Sequence, residues 1–335
     1  MKLSSTIFKI PDRQSFEKMA LLIFHYQYDH NPVYHNFCSL LKKDKTTVKK
    51  MSDIPFLPIS FFKSHSILSS KSPIEITFTS SGTTGTTNSH HFVTDLSLYQ
   101  KSYHKGFFHF YNAIKDYVVL ALLPSYLERE GSSLIYMVDD LIRQTHNPDS
   151  GFYLDNYDQL IEKLLFLDRS GKKIILIGVT YALLDLLERH AHKTSWHEKL
   201  QLQNTIIMET GGMKGRRKEM IREELHNLLC EGFGVSEIHS EYGMTELLSQ
   251  AYSRGHGLFE CPPWMDVLIR DPQDSLSLME YGKTGGINVI DLANINSCSF
   301  IATEDLGKKQ PNNSFEILGR FDHSDIRGCN LMLSL

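Results

Sequence analysis

Phe78-Thr79-Ser80-Ser81-Gly82-Thr83-Thr84-Gly85 is the stretch on which the reading of this chain turns. An apolar, alternating run (Ile74, Ile76, Phe78) leads into it and reads as a strand. Side-chain bulk then gives way to two glycines and a row of hydroxyls. Glycine lets the backbone turn tightly and come close to a ligand. Turned backbone N–H groups and Ser/Thr hydroxyls make a concavity suited to phosphate oxygens. The run therefore reads as a loop that grips the phosphates of ATP through Ser80, Ser81, Gly82, Thr83, Thr84 and Gly85. Taken alone, such a run is more often a polar surface turn, so other stretches must decide.

The bulk numbers set the frame. A chain of 335 residues holds about two ordinary domains or one large one with subdomains. Hydrophobic residues at 41% and charged ones at 22% fit a globular chain with a sizeable core. The net charge of −4 offers no basic face, so no nucleic-acid partner is expected. No apolar run is long enough to span a bilayer, so no membrane span is expected. The polar start, Met1-Lys2-Leu3-Ser4-Ser5, lacks a signal-peptide core, and a cytoplasmic location is the default expectation. The five cysteines (Cys38, Cys230, Cys261, Cys298, Cys329) are odd in number and scattered, without a C-x-x-C. That argues against a disulfide framework or a zinc cluster and for a reducing compartment.

Along the chain, the first seventy residues read as helical and loop-rich, broken at Pro55 and Pro58. Residues 96–112 have helical spacing, with aromatics read as core. Tyr117 to Leu123 reads as a buried strand, Leu134 to Leu141 as a helix, Lys173 to Val179 as a strand and Tyr181 to Arg189 as a helix. Thr205 to Met208 reads as a strand closed by Gly211-Gly212, Lys214 to Cys230 as an amphipathic helix, and Ser236 to His239 as a strand. Buried strands alternating with helices predict an α/β chain: a parallel or mixed sheet covered on both faces. Beyond about residue 252, short β-like pieces joined by Gly, Pro and Asn turns predict a smaller antiparallel sheet or barrel. The expected division is 1–251 as an α/β core, 252–320 as a β-rich subdomain of that core, and 321–335 as a short tail.

Three later stretches bear on the first. Tyr242-Gly243-Met244-Thr245-Glu246 packs an aromatic, a glycine, a hydroxyl and a carboxylate just past a strand, where open α/β sheets bind ligands. The aromatic suits stacking on a base, the hydroxyl a phosphate, and Glu246 a Mg²⁺ ion. A strand-to-helix turn capped by Thr245 accounts for it equally. In Thr303-Glu304-Asp305-Leu306-Gly307, at the expected end of a strand, Asp305 suits the hydroxyls of a ribose. Arg320, in Leu318-Gly319-Arg320-Phe321-Asp322, is a second candidate for the ribose. Read singly, both are more often solvated turn residues.

Together and in this order, these stretches resemble the adenylate-forming enzymes: acyl-CoA ligases, phenylacetate-CoA ligases and peptide-synthetase adenylation domains. Ser80 to Gly85 looks like their phosphate loop and Gly211-Gly212-Met213 like their adenine-pocket turn. Tyr242 to Glu246 is similar to their aromatic-Gly-x-Thr-Glu motif, Thr303 to Gly307 to their ribose motif, and Gly319-Arg320 with Asp322 to their hinge motif. Ile54 to His65, Leu122 to Met137, Ile177 to Leu184 and Arg327-Gly328-Cys329-Asn330-Leu331 look more closely like the acyl-protein synthetases of bacterial luciferase systems. The resemblance runs from about residue 50 to the end. It implies the large-domain fold of adenylate-forming enzymes, with ATP and Mg²⁺ as cofactors and a carboxylic acid, a fatty acid in the closer family, as substrate. It also implies that the Cys329 thiol takes the acyl group from the adenylate and passes it to a protein partner such as a reductase. Thr245 then touches the α-phosphate, Glu246 holds the metal, and Tyr242 with Gly243 faces the adenine.

Two departures qualify this. No lysine follows the loop before Lys101, and the chain stops thirteen residues after Asp322, so the usual C-terminal lid domain is expected to be lacking. The acyl-protein synthetases are short in the same way. The alternatives left open are an acyl- or aryl-CoA ligase, an adenylating enzyme feeding a carrier protein, and a nucleotide-binding subunit that no longer catalyses. For the terminal thiol, Arg327 and His323 are the nearby cations that would raise its thiolate fraction.

Overall fold

The continuous apolar runs near residues 120 and 176 form neighbouring parallel strands, Val118–Leu122 and Ile174–Val179, in which every residue is buried. This computed structural model describes residues 3–80, 87–123, 131–153, 156–193, 200–211 and 220–321. The chain groups into two compact units, Lys71–Pro262 and Met1–Ser70 with Pro263–Leu335.

In the first of these, Gly151–Phe152, Val118–Leu122, Ile174–Val179, Thr205–Thr210 and His239–Tyr242 lie side by side and parallel. Ala251–Ser253 and Leu258–Glu260 extend the row antiparallel. Strands covered on both faces lose the polar–apolar alternation of a half-exposed sheet, which is why these segments are near-continuous hydrophobic runs. The helix Ser133–Gln144 packs on Val118–Leu122 with Ile135, Met137, Val138 and Leu141 buried. Its first turn is capped by Ser132, whose hydroxyl accepts from the Ile135 N–H at 3.4 Å. Thr180–Lys193 follows its strand directly and covers Ile174–Val179 and Thr205–Thr210. Leu96–Tyr111 buries Tyr99, Tyr103, Phe107 and Phe110, so the aromatics at helical spacing are core. Arg222–Phe233 stops at Gly234, whose left-handed backbone (φ 68°) returns its N–H to the Cys230 carbonyl. A separate hairpin, Ile76–Thr79 against His90–Val93, carries the Ser/Thr/Gly loop at its tip.

In the other unit, Met265–Arg270, Thr284–Asp291, Phe300–Lys309 and Phe315–Arg320 form an antiparallel sheet in that order, with Leu57–Pro58 parallel to Phe300–Lys309. The helix Arg13–His30 is capped by Asp12, which accepts from the Ser15 N–H at 2.8 Å. It buries Phe16, Ala20, Ile23, Phe24 and Gln27. A buried amide is tolerable only when its groups are hydrogen-bonded. Gln27 meets that condition: its Nε2 donates to the Asn294 and Ile295 carbonyls at 3.0 Å, and its Oε1 accepts from the Ser299 N–H at 2.9 Å. Arg270 reaches two neighbouring strands, donating to the Ile287 carbonyl at 2.8 Å, the Asn288 side chain at 2.9 Å and the Thr303 carbonyl at 2.5 Å. It ends 5.3 Å from the Phe321 ring centre. It passes where a side chain at Gly286 would otherwise sit.

Three expectations shift. The helix placed at Lys214 to Cys230 runs Arg222–Phe233 among the described residues, and Lys214 to Lys218 lie outside them. The strand placed at Ser236 to His239 occupies His239–Tyr242, so Tyr242 ends the strand itself. Thr303 to Gly307 lies inside the strand Phe300–Lys309 rather than at its end. Among the described residues, no helix is long and apolar enough to cross a membrane.

Candidate active site

Strand register decides which motif residues meet. Thr205–Thr210 and His239–Tyr242 are parallel, with Glu209 opposite Ser240 and Thr210 opposite Glu241. The next residues, Gly211 and Tyr242, therefore leave adjacent strands at their carboxyl ends, the usual ligand side of an open α/β sheet. Gly211 takes a left-handed backbone (φ 68°), and its carbonyl accepts from the Thr180 hydroxyl at 3.0 Å. Tyr242 is buried, edge-on to Phe259 at 6.0 Å.

Past Tyr242, the chain turns at Gly243-Met244-Thr245-Glu246, with the Leu247 N–H donating to the Met244 carbonyl at 3.1 Å. Gly243, Met244 and Thr245 are half-buried, whereas Glu246 is buried. Gly243 is needed for space: a Cβ there would lie 2.5 Å from Glu241 Oε1.

The Ser/Thr/Gly loop is closed at its neck. The Ser80 N–H donates to the Ser89 carbonyl at 3.2 Å, and the Ser89 N–H donates back to Ser80 Oγ at 2.9 Å. The Ser80 oxygen is thus an acceptor inside the neck. Two residues beyond the neck, His91 Nδ1 lies 2.8 Å from the Thr245 carbonyl oxygen. The strand that returns from the neck and the Thr245–Glu246 turn are thereby tied together. Ser81, Gly82, Thr83, Thr84, Gly85, Gly212, Met213 and Cys329 lie outside the described residues, as do Asp322, His323 and Arg327.

Beneath these carboxyl ends lie two buried glutamates that the sequence reading does not single out. Glu209 is 3.6 Å from His226 Nε2 and ion-paired with Arg222. Burial opposes its charge, but His226, Arg222 and Ser240 outweigh burial and hold its carboxyl below the ordinary range. Arg222 also donates to the Ser240 hydroxyl at 3.2 Å and lies 5.1 Å over the Phe259 ring. Among the described residues, Glu241 has no cation partner. Its Oε2 accepts from the Thr210 hydroxyl at 2.6 Å, while burial and then the charge of Glu209 push its pKa up to about 7. It borders an otherwise apolar cavity of about 20 Å³ lined by residues that include Phe107, Met137, Ile177, Met208 and Tyr252. That volume suits about one water molecule. The sequence signal for both is a carboxylate two residues before a glycine, within a strand.

In the other unit, Asp305 and Arg320 sit opposite one another on paired strands, Arg320 Nε 3.3 Å from Asp305 Oδ1. The two residues singled out for the ribose are thus partners, with the carboxylate buried and the guanidinium exposed.

The family model for acyl-protein synthetase, LuxE, matches residues 8–98 and 141–335. The chain belongs to the LuxE acyl-protein synthetase family. One relative of this LuxE chain is the long-chain-fatty-acid–luciferin-component ligase of Vibrio harveyi, 24% identical over 343 residues, covering 96% of this chain and 88% of that protein. Among solved structures, an open 2-hydroxyisobutyryl-CoA ligase with 2-HIB-AMP and CoA superposes at a TM-score of 0.63 and 13% identity, over 96% of this chain and 75% of that one. MatB from Rhodopseudomonas palustris with ATP bound gives 0.52 at 18% identity, over 74% of this chain and 48% of that one. The chain thus spans about half the length of the MatB structures it matches. Its fold is that of the adenylate-forming enzymes, with mixed and antiparallel sheets covered by helices.

Proposed function

We propose that this chain activates a fatty acid with ATP as an acyl-adenylate and transfers the acyl group to a cysteine thiol. The observation that carries the reading is the convergence within one unit: Gly211 and Tyr242 leave adjacent parallel strands while His91 ties the loop neck at Ser80 to the Thr245–Glu246 turn. The V. harveyi relative, a fatty-acid ligase by name, and the ATP-bound state of the MatB structure support the same chemistry.

A carboxylate is a poor acyl donor, because its charge repels nucleophiles and oxide is a bad leaving group. The acid's carboxylate oxygen attacks the α-phosphorus, the bond to the β-phosphate bridge breaks, and pyrophosphate leaves. Ser80 and the loop residues Ser81 to Gly85 hold the phosphates, and Thr245 donates to the α-phosphate. Tyr242, Gly243 and the Gly211-Gly212-Met213 turn receive the adenine. The Asp305–Arg320 pair keeps the ribose role that the family resemblance implies.

Mg²⁺ fits the donors present. No set of three acidic, His or Cys side chains among the described residues forms a cage, and Mg²⁺ ordinarily takes one or two carboxylates plus substrate phosphates. Glu246 is the carboxylate that would hold it. Bound there, the ion supplies charge neutralisation on the phosphate oxygens.

In the second half, the Cys329 thiolate attacks the adenylate carbonyl, the bond from that carbon to the phosphate oxygen breaks, and AMP leaves a thioester. An acyl-accepting protein then receives the acyl group.

Carboxylate-dependent exchange of labelled pyrophosphate into ATP, across a fatty-acid series, tests the first half. Mass spectrometry of the intact chain after incubation with ATP and acid tests the second. Wild type is expected to gain one acyl mass. Cys329→Ser should keep exchange and lose the adduct. AMP release that requires added CoA and survives Cys329→Ser would instead identify a CoA ligase.

A further inference from the structure

A phosphate loop built from hydroxyls and backbone still needs a fixed relation to the rest of its site. In this chain no lysine follows the last loop glycine before Lys101. The segment in that place, Thr86 to Val93, instead reaches two consecutive histidines at the start of the returning strand. Strand alternation treats them differently. His90 is half-buried, while His91 is 1% exposed and sits opposite the fully buried Phe78. Phe78 packs edge-on to Tyr99 and Tyr136 at 5.3 and 5.8 Å, so this side of the hairpin is anchored in the core.

From that anchored position, the His91 ring reaches a residue 154 positions later in the chain. A carbonyl oxygen can only accept, so the 2.8 Å contact with Thr245 requires hydrogen on His91 Nδ1. The acceptor belongs to the residue assigned to the α-phosphate and directly precedes the one assigned to the metal. The other side of the hairpin is set by the paired hydrogen bonds between Ser80 and Ser89. His91 is therefore two residues from the loop neck and one hydrogen bond from the turn.

We propose that His91 is a positioning residue: through its Nδ1–H and the Thr245 carbonyl it fixes the Ser80–Ser89 neck of the hairpin against the Thr245–Glu246 turn. This inference rests on the proposed ATP reading only for its catalytic consequence. The mechanical coupling of the two segments stands without it.

The test compares His91→Phe, which keeps a ring and removes the donor, with His91→Asn, whose side-chain amide restores one. Hydrogen exchange of the nucleotide-free protein is the first readout. His91→Phe should raise amide exchange about tenfold in both 87–91 and 243–247, leaving the Ile174–Val179 strand as in wild type, and His91→Asn should reverse most of the rise. A tenfold change matches the loss of one buried hydrogen bond. Pyrophosphate exchange is the second readout: kcat/KM for ATP should fall about tenfold in His91→Phe, mainly through kcat, and recover most of that in His91→Asn. Unchanged exchange at 243–247 in His91→Phe overturns the proposal. So does a His91→Asn variant as disturbed as His91→Phe, since the ring's volume rather than its donor would then matter. A wild-type protein inactive with every acid, but showing the coupled exchange change, would refute the ATP reading and leave the His91 assignment standing.

Discussion

Replacing Glu241 with Gln tests the electrostatics under the site directly. Glu241 is 8% exposed and accepts a hydrogen bond from the Thr210 hydroxyl. Burial and the neighbouring Glu209 charge push its pKa from 4.5 to about 7. An acid raised in this way destabilises the fold as pH rises: the unfolded chain releases its proton near 4.5 and the folded one near 7, so stability is lost between those values and not above them. At about 1.36 kcal/mol per pKa unit, roughly 2.5 kcal/mol of that loss falls between about pH 5 and about pH 8.5. Gln keeps an oxygen for Thr210 and never ionises, so Glu241→Gln should be the more stable protein at the higher pH. Urea unfolding of both proteins at the two pH values measures it, because ionisations common to both cancel in the difference. The stability gap should widen by roughly 1–3 kcal/mol from the lower pH to the higher. A gap constant to within about 0.5 kcal/mol would show that Glu241 ionises near its ordinary value and would refute the reasoning.

Two further substitutions probe the frame around the site. Arg222→Met leaves Glu209 charged and buried without its guanidinium; removing one partner of a buried pair costs about 3–5 kcal/mol. The half-exposed position of Arg222 lowers the expected loss to about 2–3 kcal/mol, read by urea unfolding near neutral pH, and a loss below about 0.5 kcal/mol would count against the pair. Gly234→Ala puts a Cβ against the Leu200 carbonyl in a left-handed residue. A cost of about 2–4 kcal/mol is expected, with thermal unfolding as the check and an unchanged midpoint as the contrary result.

The fold was legible where burial is two-sided and apolar. Val118–Leu122 and Ile174–Val179 announce themselves as hydrophobic runs, and Leu96–Tyr111 as a periodic one. Legibility fails where inward-facing residues are polar and their partners are distant in sequence. Phe300–Lys309 turns Thr303, Asp305 and Lys309 inward, which reads locally as a turn. Asp305 is matched by Arg320, and Lys309 by Asp266 at 2.6 Å, partners that no local periodicity reveals. The strand His239–Tyr242 hides in the same way, because buried Ser240 and Glu241 lack an apolar signature. Of the candidate site, Tyr242, Gly211 and Ser80 were singled out from residue type and order. His91, Glu209, Arg222 and Glu241 became visible only once register set the strand ends side by side.

Arg270 and Gly286 carry a consequence for anyone redesigning the antiparallel sheet. The guanidinium occupies the space that a side chain at 286 would fill, and there it serves acceptors on two neighbouring strands. Enlarging position 286 alone evicts a cation, and shortening position 270 alone takes a donor from the carbonyls of Ile287 and Thr303, the first of which keeps only the Thr303 hydroxyl at 2.9 Å among these side-chain donors. Changes at two such positions do not sum. A library that varies one site at a time will therefore score both as immutable, whereas a paired library can reach sequences in which a small residue at 270 and a larger one at 286 exchange volume across the strand boundary.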